Sequence, residues 1–337
     1  MKNKSPSNNE KERIIEEVQK LLEERGRKPL EMVRKAILEE EIESKEVKEA
    51  LHYFITEYWH DLARPTLMSI CCEAVGGDPN ATIPFAVPLS LISGALDIQD
   101  DIIDQSKTKH GRPTVYGKYG KEIALLVADA LLFKGFTLLH KACTQIPMEK
   151  AIKIMEIVKN AFYELGDAEA LELNLRRKSD VTPEEYLHII KKKAADVEAH
   201  TRIGAIIGDA TKKEQENLGK YGRLLGMIII IRDDIADLLD IEEAKHRILQ
   251  EHLPLPAIYA LNTQKNILST YASLKEESFL EENLEVFLEK VEESGGFKLA
   301  KEFMEQIANQ ALCNIEIIHQ GNLRNRLSTL LRSAMIV

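Results

Sequence analysis

The chain of 337 residues has four cysteines, one tryptophan and only 6% aromatics, and each shortage closes off a class of protein. Cys71, Cys72, Cys143 and Cys313 lack CxxC spacing and sit in helix-patterned segments, which argues against disulfides or a zinc site and for buried free thiols. Basic stretches are also scarce. With a net charge of −10 and no segment that gathers a basic face, nucleic acid is excluded as the main partner. Period-2 alternation is missing, whereas apolar residues recur at three- and four-residue spacing almost throughout, so the fold class is all-α. The Ile228 to Ile231 run has strand propensity, but its flanks are helical. No apolar run is long: the stretch from Ala81 to Leu96 holds Pro84 and Pro88 and is short for a bilayer. The polar Met1 to Glu10 lacks the apolar core of a signal peptide. The expectation is therefore an unstructured lead over 1–10 and a single all-α domain over 11–337, cytoplasmic, without a transmembrane segment.

Gly and Pro punctuate the chain at Gly26, Gly76 to Pro79, Gly111 to Pro113, Pro147, Thr182-Pro183, Pro254 with Pro256, and Gly295-Gly296, predicting ten or more helices. Thr182-Pro183-Glu184-Glu185 predicts an N-cap, a proline in the first turn and acids behind it, opening a long helix through about Ala210.

What the chain does have is acid in two apolar places. Asp97 to Asp104 and Arg232 to Asp237 each contain DDxxD. At 100° per residue, Asp97, Asp100, Asp101 and Asp104 form one helical stripe, and Asp233, Asp237 and Asp240 form another. One such motif is common on a solvated helix face; two among isoleucines are not. Carboxylates without soft or imidazole ligands suit Mg²⁺, which keeps waters and takes one or two carboxylates plus substrate phosphates. The stripes read as two halves of one site that clamps a diphosphate through metals. The basic turn at 107–112 and the Lys191-Lys192-Lys193 run could neutralise diphosphate oxygens, although a lysine run alone equally describes a solvated face.

Asp100-Asp101-Ile102-Ile103-Asp104, Gly111-Arg112-Pro113-Thr114 and Ala128-Asp129-Ala130-Leu131-Leu132 resemble the first aspartate-rich region of the trans-isoprenyl (polyprenyl) diphosphate synthases. Gly226, Arg232-Asp233-Asp234-Ile235-Ala236-Asp237 and Leu255-Pro256-Ala257-Ile258-Tyr259-Ala260-Leu261 resemble the second. The resemblance implies the isoprenoid synthase helical bundle around a cavity, a homodimer, and Mg²⁺, with three ions when diphosphate is bound. It makes Asp100, Asp101 and Asp104 ligands of two ions and Asp233, Asp234 and Asp237 candidates for the third. Lys109 and Lys192 would grip an allylic prenyl diphosphate, with Lys193, Glu169, Arg64 and His110 also binding substrate.

The chain also departs from that family. Where an isopentenyl diphosphate site would read Gly-Gly-Lys-Arg-x-Arg-Pro, it has Trp59-His60-Asp61-Leu62-Ala63-Arg64-Pro65; Ser93 replaces a histidine, and Lys109-His110 replaces paired arginines. The Lys-Thr dipeptide becomes Lys192-Lys193, Gly-Gln-x-x-Asp carries Glu169 and Glu172, and Gly-Lys-x-Thr becomes Glu251-His252-Leu253-Pro254. Small or aliphatic Ala95 and Leu96 predict an open pocket floor unless Phe133 or Phe136 fills it. Asp196 and His200, spaced i and i+4, read either as a surface turn with Glu198 or as a base near a cation. Three functions follow: prenyl transfer to isopentenyl diphosphate or another acceptor, terpene synthesis without a second substrate, or a silent partner subunit in a heteromeric synthase. The complete aspartates speak against the last.

Overall fold

Gly26 and Pro29 do not interrupt the first helix, α1 (Asn8–Leu38), so the break expected at Gly26 is absent. The glycine serves proximity instead: a Cβ there would lie 2.5 Å from the Leu62 carbonyl oxygen. The protein is seen in a computed structural model that describes residues 8–109, 111–176, 178–264, 267, 271, 274 and 281–337. Residues 8–10 of the expected lead already belong to α1, and residues 1–7 lie outside the described residues. Contacts divide the chain into unit 1 (Met1–Lys159, Ala199–Gly219, Ile315–Ser333) and unit 2 (Asn160–Glu198, Lys220–Asn314, Ala334–Val337).

In unit 1, α2 (Lys45–Tyr53) runs into a π-turn at Phe54–Tyr58, followed by α3 (Ala63–Ala74), a 3₁₀ turn (Pro79–Thr82) and α4 (Ile83–Ile103). A hairpin, β1 (Thr108–Lys109) with β2 (Arg112–Pro113), precedes α5 (Val115–Tyr119), α6 (Lys121–Cys143) and α7 (Met148–Leu173), whose second part belongs to unit 2. The two-residue strands escaped the periodicity test because alternation needs more residues to show. Helices α4 and α6 are in close contact because Gly135 has no side chain: a Cβ there would meet Ile92 Cγ1 at 2.7 Å and the Pro88 carbonyl at 2.9 Å. One apolar cluster gathers Phe54, Trp59, Leu91, Ala95, Ile98 and Leu131, and a second gathers Met68, Phe85, Ile92, Leu139 and Ile203. Three of the cysteines are buried free thiols as read; Cys313 is exposed.

Pro84 and Pro88 leave α4 continuous, so the helix runs beyond the apolar stretch read over 81–96. By length and composition alone, two helices could cross a bilayer. The apolar window of Pro79–Ile103 is 72% buried, as in a core helix, and that of Lys121–Cys143 is 33% buried.

In unit 2, α8 (Pro183–Lys193) opens with the predicted Thr182 cap, its hydroxyl accepting the Glu185 N–H while the Glu185 carboxylate returns to the Thr182 N–H. The long helix expected to Ala210 is broken at Ala194, before α9 (Ala195–Ile207), which belongs to unit 1 from Ala199 onward. Three lysines in the last turn of α8 favour an end there, since cations suit the negative pole of a helix. Helix α10 (Lys212–Asp237), which belongs to unit 2 from Lys220 onward, packs onto the break through Gly226, where a Cβ would sit 2.8 Å from the Ala194 Cβ. Ile228 to Ile231 lie inside α10 and are helical. Then come α11 (Ile241–Gln250), α12 (Leu255–Thr263), α13 (Glu281–Glu293) and α14 (Gly296–Ile315), while α15 (Gly321–Ala334) lies in unit 1 except at its last residue.

Candidate functional site

The first acidic motif occupies the last turn of α4, with Asp104 as the capping residue. Carboxylates at a helix C-terminus are each disfavoured by roughly 0.3–1 kcal/mol, and here several repel one another as well. The chain ends the turn on Gln105 at φ 58, with the Ser106 N–H returning 2.9 Å to the Asp101 carbonyl, and then reverses through the hairpin at Gly111, φ 71. Between these two turns Lys109 lies over the motif: its Nζ lies 3.2 Å from Asp100 Oδ2 and 2.8 Å from Asp101 Oδ1. Burial pushes the Asp101 carboxyl up to about 6 against the pull of Lys109. Burial also opposes the Lys109 charge, but Asp100 and Asp101 outweigh it and hold the ammonium well above its ordinary range. The hairpin is itself anchored. Tyr53 donates to the Pro113 carbonyl at 2.6 Å, and Arg112 donates to the Glu57 carbonyl at 3.1 Å while lying over the Tyr58 ring.

Beside this motif, the expected acceptor residues form a different structure. Asp61 caps α3, accepting the N–H groups of Ala63 and Arg64 at 2.9 and 3.1 Å, and its second oxygen is 3.2 Å from Arg64 Nη1. The other arm of Arg64 is 3.7 Å from Asp97, which accepts the Trp59 indole N–H at 2.9 Å. Ser93 is buried on α4. His110 lies outside the described residues. Ala95 has no accessible surface and Phe133 is 77% exposed, while Leu96 and Phe136 are packed against the second apolar cluster.

The second motif closes α10 in unit 2. Asp233 faces outward and pairs with its neighbour Arg232, whose Nη2 is 2.6 Å away. Asp240 is not on this helix, contrary to the stripe read from the sequence: it caps α11, accepting the Glu242 and Glu243 N–H groups. Asp234 is the buried member of the motif. It is enclosed, and its oxygens take the Tyr186 hydroxyl at 2.7 Å, Arg247 Nη2 at 2.7 Å and the Leu255 N–H at 3.0 Å. Asp237 stays nearer the surface, 3.5 Å from Arg247 Nε, and burial raises its carboxyl to about 6.

Of the departures, His252 touches this set, its Nε2 lying 3.3 Å from Arg247 Nη2 and 3.4 Å from the Tyr186 hydroxyl. Lys193 is held between Glu169, at 3.0 Å, and Glu172. Glu172 also meets His252 Nδ1 at 3.1 Å, and burial keeps that imidazole neutral with a value of about 4. Lys192 pairs with Asp167 at 2.7 Å and is the better placed of the two lysines to exchange partners. Glu198 and Glu164 share Arg223, so Glu198 has a structural ion pair, and His200 is buried. The roles of Trp59, Tyr186 and Arg247 were missed by sequence reasoning; a lone tryptophan was the one available signal.

Among the described residues no three His, Cys, Asp or Glu side chains form a ready metal cage. Mg²⁺ takes one or two carboxylates and completes its shell from waters and phosphate oxygens. The crowded, partly buried carboxylates at the end of α4, with one lysine among them, fit such an ion.

The polyprenyl synthetase family profile matches residues 44–289. A geranylgeranyl diphosphate synthase of Methanosarcina mazei is 32% identical over 181 residues, covering 53% of this chain and 55% of the relative. This chain thus spans about half the length of that curated relative. An octaprenyl diphosphate synthase of Escherichia coli is 25% identical over 85% of this chain and 88% of its own length. The structure of a geranylgeranyl pyrophosphate synthetase from Pyrococcus horikoshii superposes with a TM-score of 0.85 at 26% identity, covering 95% of this chain and 99% of that one. A profile match over most of the chain, with the helical bundle of solved synthases, means that the chain belongs to the polyprenyl synthetase family.

Proposed function

We propose that the protein is a prenyltransferase that ionises an allylic prenyl diphosphate with Mg²⁺ and delivers the prenyl cation to an acceptor. The observation that carries this is the crowding of Asp100, Asp101 and Asp104 at the end of α4 with Lys109 bound across two of them. The relatives named as geranylgeranyl and octaprenyl diphosphate synthases support the reaction class. Asp100, Asp101 and Asp104 would hold metal in unit 1, and Asp233 and Asp237 in unit 2. Bound Mg²⁺ supplies positive charge for the departing pyrophosphate.

The chain's own residues do the rest. Lys109 gives up its carboxylates and donates to the diphosphate, replacing an intramolecular ion pair by one that strengthens as the C–O bond breaks. Lys192 can exchange Asp167 for diphosphate oxygen in the same way, whereas Lys193 remains with its two glutamates. The open apolar side of α6, with Leu125, Leu126 and Phe133, fits a second copy of the chain. The test is pyrophosphate release from geranyl, farnesyl and geranylgeranyl diphosphates. Release should require Mg²⁺, stop in EDTA and be lost in Asp100→Asn and Asp233→Asn; full activity in EDTA defeats the proposal.

A further inference from the structure

We infer that Arg247 is a positioning residue for the second acidic motif, holding the Asp237 carboxylate from α11 so that one of its oxygens is left for the metal. That role rests on the proposed binding of metal by Asp237 and goes beyond it by naming the group that orients the ligand. Asp234 and Asp237 are spaced i and i+3, so they share a face of the last turn of α10. Asp240 then starts α11, and Arg247 in the last turn of that helix reaches the same face. Its guanidinium is a planar, rigid fork. On one edge, Nη2 donates to Asp234 Oδ1 at 2.7 Å and Nε lies 3.5 Å from Asp237 Oδ2. On the other, Nη1 pairs with Glu251. All of these residues belong to unit 2.

Two departures from the family pattern meet at this fork. Glu251 and His252 stand in place of the glycine and lysine of Gly-Lys-x-Thr, both are buried, and both touch Arg247, His252 through Nε2 at 3.3 Å from Nη2. Asp234 and Glu251 grip the guanidinium from two directions, so its plane cannot turn without breaking a buried ion pair. One donor is left over. Nε is buried, and its 3.5 Å contact with Asp237 is an ion pair too long for a good hydrogen bond, so among the described residues this N–H has no hydrogen-bond acceptor.

Buried donors are nearly always matched. An unmatched one aimed at Asp237, whose side chain is 23% exposed, marks the bond that closes when this carboxylate turns toward a cation. Carboxylates that bind metal are commonly held in this way by a hydrogen bond. Lysine could supply the charge but could not address three carboxylates in fixed directions.

The test uses the full chain with one equivalent of a thiolo analogue of farnesyl diphosphate, which cannot ionise. Mn²⁺ replaces Mg²⁺, since both take oxygen ligands in octahedral geometry, and bound Mn²⁺ is counted by electron paramagnetic resonance. Asp237→Asn should remove one bound ion. Arg247→Lys should weaken that same ion by about tenfold or more. Added to Asp237→Asn, Arg247→Lys should change the remaining Mn²⁺ binding by less than about twofold, because its effect passes through Asp237. Circular dichroism checks the helical fold of each variant. Should Arg247→Lys not fold, Glu251→Gln decides: it keeps the guanidinium, loosens its far edge and should weaken the same ion by about threefold or more. Mn²⁺ affinity like that of the wild type in the folded Arg247 variant, or an equal loss with and without Asp237, overturns the inference alone. Retention of every ion by Asp237→Asn overturns it together with the proposed role of Asp237 as a ligand.

Discussion

Asp233 and Asp234 are adjacent in α10, yet Asp233 faces solvent beside Arg232 while Asp234 is enclosed by Tyr186, Arg247 and Leu255. Asp233→Asn should therefore cost less than about 1 kcal/mol of stability while removing turnover, because exposed ion pairs contribute little. Asp234→Asn should cost more, about 3 kcal/mol, since it removes one of the buried carboxylates that pair with Arg247 and disturbs the oxygens that accept from Tyr186 and Leu255. Urea titration followed by helical circular dichroism separates the two; equal losses would contradict these roles. His252 gives a pH test. Its folded value of about 4 lies below the ordinary histidine value of about 6.5, so its contribution is full above the unfolded value and lost as pH falls toward 4. Relative to His252→Asn, which does not titrate, the wild type should lose about 2 kcal/mol between pH 7 and pH 5. Parallel stability curves for the two proteins would dismiss the buried neutral imidazole.

At the scale of elements, helix ends do most of the placing. The acidic motifs close α4 and α10, whereas Asp61 and Asp240 accept backbone N–H groups at the starts of α3 and α11, so acids of similar appearance in the sequence differ in surroundings according to which helix end they occupy. Gly26 shows how packing decides against propensity. Alanine is favoured over glycine in a helix interior by about 1 kcal/mol, but a Cβ at 2.5 Å from a backbone oxygen cannot be relieved by rotating a side chain. Gly26→Ala should thus lower the melting temperature by several degrees, roughly 1–2 kcal/mol net. A rise in melting temperature would show that α1 can shift away from Leu62.

For the whole molecule, the exposed apolar side of α6 leads to an expected dimer. Phe133, with 77% of its surface open, should be central to it. Light scattering coupled to size exclusion should show a dimer for the wild type and a monomer for Phe133→Glu, because a charge desolvated in an apolar interface without a partner is strongly disfavoured. A wild-type monomer at micromolar concentration, or a dimeric variant, would remove this surface from the interface.

The fold class, the Thr182 cap and the two aspartate motifs were legible in the sequence, because each is written in local spacing: helical period, capping chemistry and acids at i and i+4. The choice between Asp233 and Asp234 was not, since a period of 3.6 says which residues share a face and leaves open what that face meets. Nor was the meaning of Asp61, which reads as a repelling charge in the chain and is a helix cap joined to Arg64 in the fold. Glu172 and His252 stand 80 positions apart as two separate departures from a family pattern, and only folding makes them one hydrogen-bonded pair. Local sequence determines elements because propensity and capping act over a few residues; tertiary structure decides which charges are solvated, paired or enclosed, because desolvation depends on every neighbour at once.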